Sequence, residues 1–294
     1  MTLDPLQINE IRATDPGRVA DSWAARRRRP LLADDGRLLL VAADHPARNA
    51  LGVRDQPMAM ASRTDLLGRL QVALAVPGVD GVLGSPDVLE DLLLLGALDG
   101  KVAIGSMNRG GLQGAVFEAD DRYTAYDPET LDRLGLDGGK ALMRVCLDEP
   151  GTAATLEATG HAVSALAERR LPMMIEPFLS RFEDDRMVNQ LDTDSVVRSV
   201  VVASGLGATS AYTWLKLPVV DNMARVMDAT TLPTLLLGGD PHEAPEQTYA
   251  AWADALTLPS VRGLVVGRAL LYPLDGDVGA AVRTAVELVH GGDR

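Results

Sequence analysis

At 294 residues the chain exceeds ordinary single-domain length, although α/β barrels of ~250 residues form one domain. Apolar residues make up 47% and aromatics only 4%, so the core must be mostly Leu, Val and Ala, which suits α/β layers and excludes an aromatic-rich sandwich. A net charge of −13 leaves no basic surface of useful size and argues against a nucleic-acid partner.

Residues 16–29 predict a helix lying before the main fold, with the one basic run, at 26–29, as its solvated end. Residues 38–43 are continuously apolar, opened by Asp35-Gly36 and closed by Asp44-His45-Pro46, the pattern of a strand buried on both faces. Helical spacing at 57–75 is followed by a short strand at 81–84. Ser85-Pro86 then opens a helix to 98, serine as cap and proline at the first helical position. The third strand is 101–105. The stretch 106–127 is the longest irregular segment and a candidate lid. A short helix at 128–135, a strand at 140–146, the amphipathic helix 151–169 and a strand at 171–177 come next. Helix 192–204 leads to a strand at 211–219 that carries Lys216 and is stopped by Pro218. Helix 219–229, strand 233–237, helix 243–257, strand 263–266 and helix 277–290 finish the chain.

Eight strand–helix alternations without a composition break imply parallel strands and helical crossovers. The fold class is α/β: a single (β/α)8 TIM barrel with an extra N-terminal helix, an open doubly wound sheet being the alternative. Residues 1–36 are the helical extension and 37–294 the barrel.

In a barrel, chemistry gathers at the C-terminal strand ends. Read in order they carry Asp44 and His45, Gly84-Ser85, Ser106, a fourth strand with Lys140 and Arg144, Glu176, Lys216, Gly238-Gly239 and Gly267-Arg268. Lysine is scarce: Lys101, Lys140 and Lys216 stand against 25 arginines. An amine can shed its proton and attack a carbonyl, which a guanidinium cannot. The plain alternative is a strand-end lysine paired with an acid. Glu176 ends the strand next to that of Lys216, so acid and amine could meet over the mouth, with Lys140 as a cation favouring a neutral nucleophile. Glycines after the seventh and eighth strands occupy the usual place of a barrel phosphate site, and Arg268 adds charge. Either pair alone is equally consistent with turn chemistry.

Together these residues resemble class I, Schiff-base aldolases of the (β/α)8 type, in particular the bacterial and archaeal group with tagatose-bisphosphate and fructose-bisphosphate aldolases. The resemblance covers roughly residues 37–290 and rests on Asp44-His45, Asp137-Gly-Gly-Lys140, Glu176-Pro177, Lys216-Leu217-Pro218 and Gly267-Arg268. It departs from the family at Pro46, where many members have glycine, and in lacking a tyrosine at the end of strand four or five. The chain looks most like a set of actinobacterial aldolase-like barrel proteins associated with inositol catabolism. That implies cleavage of a phosphorylated deoxy-keto-gluconate to a three-carbon aldehyde acid and dihydroxyacetone phosphate.

The expected function is therefore a class I aldolase acting on a phosphorylated ketose or keto-sugar acid. Lys216 would form the iminium, Glu176 would move protons, Asp44 would position a hydroxyl or share the base role, and Lys140 would hold an oxygen. Gly238, Gly239, Gly267 and Arg268 would take the phosphate, with His45, Arg48, Arg109 and Arg144 as further binding candidates, surface arginine being the plain alternative for each. No cofactor is expected, because His161 and His290 fall within helices and leave His45 and His242 too few for a zinc site. The rival of another class is a catalytically inactive barrel that binds a sugar phosphate as a regulator or partner subunit. The expected partner is a small-molecule sugar phosphate, with no membrane and no nucleic acid, in a homo-oligomer. A single cysteine, Cys146, no signal pattern and no apolar run of ~18 residues suggest the cytoplasm.

Overall fold

The computed structural model describes residues 5–108, 111–184, 186–239 and 245–291. Eight parallel strands form the ring: β1 (Leu38–Ala42), β2 (Gly81–Gly84), β3 (Val102–Ser106), β4 (Gly138–Val145), β5 (Met173–Glu183), β7 (Thr213–Leu217), β8 (Thr234–Leu237) and β9 (Val261–Val266). β6 (Arg186–Asn189) lies outside it, antiparallel to the end of β5. The ring is closed. β4 pairs with β5, and β1 pairs with β9 from Leu38↔Gly263 to Val41↔Val266. The open-sheet alternative is thereby excluded.

Strand parity divides the core into two layers. Leu38, Leu40 and Ala42 point inward with Leu83, Val102, Ile104, Met174, Leu235 and Val265. Leu39 and Val41 point outward, into the larger layer under the helices α3 (Arg63–Ala75), α4 (Pro86–Leu94), α5 (Pro128–Arg133), α6 (Gly151–Glu168), α7 (Thr193–Ser204), α8 (Met223–Asp228), α9 (Pro245–Leu256) and α11 (Val278–His290). The same period of two decides the site: two residues beyond inward Met174, Trp214 and Ala42 stand Glu176, Lys216 and Asp44.

Ahead of the barrel lie two helices, α1 (Pro5–Thr14) and α2 (Gly17–Ala25), where the sequence predicts one. The basic run at 26–29 is not a solvated helix end. α2 stops at Ala25, and the chain then crosses the N-terminal face of the barrel. Arg26 is buried, donating to the carbonyls of Lys101 and Gly135 and to Asp137, while Arg29 pairs with Asp80. Leu31 and Leu32 pack on the inner layer and seal that end.

Two smaller elements also differ from expectation. β5 continues six residues past Pro177, where the expected strand ends, and turns back as β6. A one-turn helix, α10 (Arg268–Leu271), follows β9. The start of the helix expected at 243 lies outside the described residues. Among the described residues no helix is long and apolar enough to cross a membrane.

Candidate active site

A cavity of about 430 Å³ opens at the C-terminal end of the barrel. Four charged side chains form its base, all nearly inaccessible: Lys140 at 1%, Asp44 at 2%, Lys216 at 3% and Glu176 at 9% exposure. They form an unbroken chain. Lys216 Nζ lies 2.8 Å from Glu176 Oε1, and Lys140 pairs with the other carboxylate oxygen, Oε2. Lys140 Nζ also donates to Asp44 Oδ2 at 3.1 Å, and the Ser106 hydroxyl donates to that same oxygen at 3.1 Å.

The alternation of charge explains how so many ions tolerate burial. An isolated buried carboxylate or ammonium is heavily penalised, but each member here has a partner of opposite sign in contact. Burial pushes the Glu176 carboxyl up, but Lys140 and then Lys216 pull it further down, to about 2. It is held as the anion between the two amines. Lys101 stands apart from this group: its ammonium donates to the Val79 carbonyl at the opposite end of the barrel.

The loops after β8, β9 and β1 form one side of the cavity, with Gly238, Gly239, Gly267, Arg268, His45 and Arg48 all lining it. Gly239 adopts φ +63, a left-handed conformation suited to glycine. At Gly267 a Cβ would fall 2.6 Å from the Ala42 carbonyl oxygen and 2.9 Å from the His45 ring, so the backbone can approach β1 only without a side chain. Burial drives His45 down to about 3, with Arg268 and Lys216 adding to the effect against Asp44, so its imidazole is neutral. Arg48 ends the 3-10 turn Pro46–Arg48, where Pro46 occupies the first helical position in place of the expected family glycine. Its guanidinium lies 3.8 Å from Glu118.

Arg144, a binding candidate from the sequence, is buried and is not brought to the cavity lining. Its guanidinium is taken by Asp121, by Glu118 and by the Gly111 carbonyl. It thus organises the irregular stretch after β3. Asn108 ties the same stretch to β4, accepting from Leu142 N and donating to its carbonyl. Arg109 and His242 lie outside the described residues. His290 sits at the far end of the barrel beside Asp35 and Asp80.

The far wall was not legible as part of the site. It consists of Leu142, Phe178, Asn189, Leu191, Pro218 and Val219. Three of these belong to the β5–β6 hairpin and its exit. The one available signal was the inward parity of Phe178, two residues beyond Glu176.

A family model described as Cgl0159-like matches residues 36–286. The crystal structure of Cgl0159 from Corynebacterium glutamicum is similar to this chain at 55% identity, with a TM-score of 0.95 and 98% of each chain covered. An archaeal fructose 1,6-bisphosphate aldolase is similar at 18% identity and TM-score 0.67, covering 93% of this chain and 100% of that one. A Schiff base-forming fructose-1,6-bisphosphate aldolase is similar at 18% identity and TM-score 0.66, covering 92% and 100%. At those identities the likeness establishes the shared barrel fold. No curated protein matches the chain.

Proposed function

The chain belongs to the Cgl0159-like family, and we propose that it is a class I aldolase cleaving a phosphorylated ketose or keto-sugar acid through an imine on Lys216. The observation that carries this reading is the contact between the Lys216 amine and the Glu176 carboxylate at the base of the cavity. The fold shared with Schiff base-forming aldolases supports it.

In this reading Glu176 takes a proton from Lys216, the free amine adds to the substrate ketone, and a second proton passes from the nitrogen of the adduct to the new oxyanion to give the carbinolamine hydroxyl. Glu176 then returns the proton to the departing hydroxyl, releasing water and leaving an iminium. Cleavage of the adjacent C–C bond sends its electron pair into the iminium as an enamine, while a carboxylate at the base takes the proton of the hydroxyl that becomes the aldehyde. Glu176 and Asp44 are the two bases within the group, and Lys140 between them holds the substrate oxygen. Loss of positive charge at Lys216 removes one of the two cations that hold Glu176 down. Its carboxyl therefore holds the proton it has taken more readily than in the resting site, until the carbinolamine hydroxyl receives it.

Gly238, Gly239, Gly267 and Arg268 would hold the phosphate, with Arg48 on the same side of the cavity as a further donor to it. That assignment suits 5-dehydro-2-deoxygluconate 6-phosphate, which would yield dihydroxyacetone phosphate and malonate semialdehyde. Borohydride added with dihydroxyacetone phosphate should leave a mass adduct that peptide mapping places on Lys216. An adduct on Lys140 or Lys101 would refute the assignment. Binding without any adduct would describe an inactive barrel instead.

A further inference from the structure

Glu176, Phe178 and Ser180 alternate along one face of β5, and Asn189 stands directly opposite Ser180 in the antiparallel ladder. Asn189 therefore shares the face that carries Glu176, four residues or roughly 13 Å further along the strand. It lines the cavity together with Phe178 and Leu191. Ser180 is buried, and its hydroxyl donates to Asn189 Oδ1 at 2.9 Å. That bond fixes the carboxamide and leaves its NH2 as the group available to the cavity. The hairpin is anchored at its exit: Gln190 N donates to the Leu179 carbonyl at 2.8 Å, and Ser195 Oγ donates to Gln190 Oε1.

The order of the strands gives the site a direction. The glycines and Arg268 follow β8 and β9, Lys216 is on β7, and Glu176 with the hairpin is on β5. A substrate with its phosphate at the β8–β9 side and its ketone at Lys216 must extend its scissile bond and remaining carbons toward β5. There the wall is Leu142, Phe178, Leu191 and Val219, with one oriented polar group among them.

Resting on the aldolase reading, we propose that Asn189, positioned by Ser180, is a specificity-determining residue that donates to an oxygen on the aldehyde-derived fragment, the end of the substrate remote from the phosphate. A fixed donor in apolar surroundings discriminates against a substrate lacking the acceptor, because the amide is then left unpaired. Ser180 acts through Asn189 and touches no substrate.

The test is aldol condensation of dihydroxyacetone phosphate with glyceraldehyde or malonate semialdehyde, which carry an acceptor oxygen, and with propanal, which does not. The wild type should favour the oxygenated aldehydes in kcat/KM. Asn189→Ala and Ser180→Ala should each reduce that preference, Asn189→Ala by roughly three- to tenfold. Borohydride trapping of dihydroxyacetone phosphate should persist in both, and propanal should react faster with Asn189→Ala than with the wild type, because the amide it leaves unpaired is gone. Asn189→Ser, which keeps a short donor, should restore part of the preference. An undiminished preference in Asn189→Ala, with trapping intact, would overturn the role of Asn189 alone. Failure of the wild type to trap dihydroxyacetone phosphate would remove the aldolase reading itself, and this inference with it.

Discussion

Lys216, near the end of β7, and Glu176, in the first half of β5, occupy inward positions on neighbouring parallel strands, and their charged atoms meet at 2.8 Å. Ile175 pairs with Leu215, so the residue after each stands at the same height above the apolar layer. Two residues that the chain separates by a whole helix are thereby set at hydrogen-bonding distance by strand register alone.

Glu176→Gln should cut turnover by about 10²–10⁴, the usual contribution of a general acid–base group. It also leaves two buried ammoniums without their shared anion, so stability should fall by roughly 3–5 kcal/mol. Steady-state kinetics and denaturant melts measure both. A variant with near-normal turnover would pass the proton role to Asp44.

Lys140→Met removes the foremost of the two cations that offset burial and hold the Glu176 carboxyl near 2. That carboxyl should then titrate at higher pH, both because burial is less opposed and because Asp44 loses its cation. The acid limb of the kcat/KM profile should move toward neutral pH. An acid limb that stays in place would separate Glu176 from the rate.

Arg268→Ala should raise KM for a phosphorylated substrate by about ten- to a hundredfold, since a hydrogen bond to a charged group contributes ~1.5–3 kcal/mol. The unphosphorylated analogue should change less. Because the protein carries a net charge of −13, its affinity for an anion must come from such short-range contacts. Equal handling of both analogues by the wild type would reduce the glycines to turn residues.

At the other end of the barrel, His290 Nδ1 lies 2.7 Å from Asp35 and Nε2 lies 3.2 Å from Asp80, with Arg29 on the same Asp80 carboxylate and Lys101 nearby. The Asp80 carboxylate, and then Asp35, raise His290 above its ordinary value against the effect of burial. A raised histidine stabilises the fold fully below its unfolded value of ~6.5, and that contribution is lost as pH rises through the folded value. Asp80 is lowered and loses its own contribution only in acid. The Tm difference between wild type and His290→Gln should therefore be larger near about pH 5.5 than near about pH 9. A difference independent of pH would show that the ring acts by packing alone.

The barrel and the charged base were legible because both follow from periodicity. Eight apolar strands ending on polar residues imply the ring, and inward parity brings Glu176 and Lys216 together. Arg144 misleads because its strand position also points toward the mouth. The acids that capture it, Glu118 and Asp121, lie in an irregular stretch whose path no spacing reveals. The run at 26–29 misleads for a related reason: its partners Asp137 and Asp80 are distant in sequence, so the guanidinium groups read as solvated. The hairpin was missed because Arg181 and Glu183 give the end of β5 a polar look. Only the alternation of Phe178 and Ser180 continues the inner face.

The β1–β9 pairing joins residues 38–41 to 263–266, the two ends of the ring in sequence. Gly263, with φ +144, approaches so closely that a Cβ would fall 2.0 Å from the Leu38 carbonyl oxygen. The seam therefore depends on contacts of the highest sequence separation in the fold, the kind that forms slowly. On the ribosome, β1 can pair with β2 early, but its other edge waits for the last strand to be synthesised. Until then the nascent chain carries an open strand edge, which is where chains pair wrongly with one another. That edge is covered only when β9 docks on β1, and a side chain at position 263 would obstruct this step.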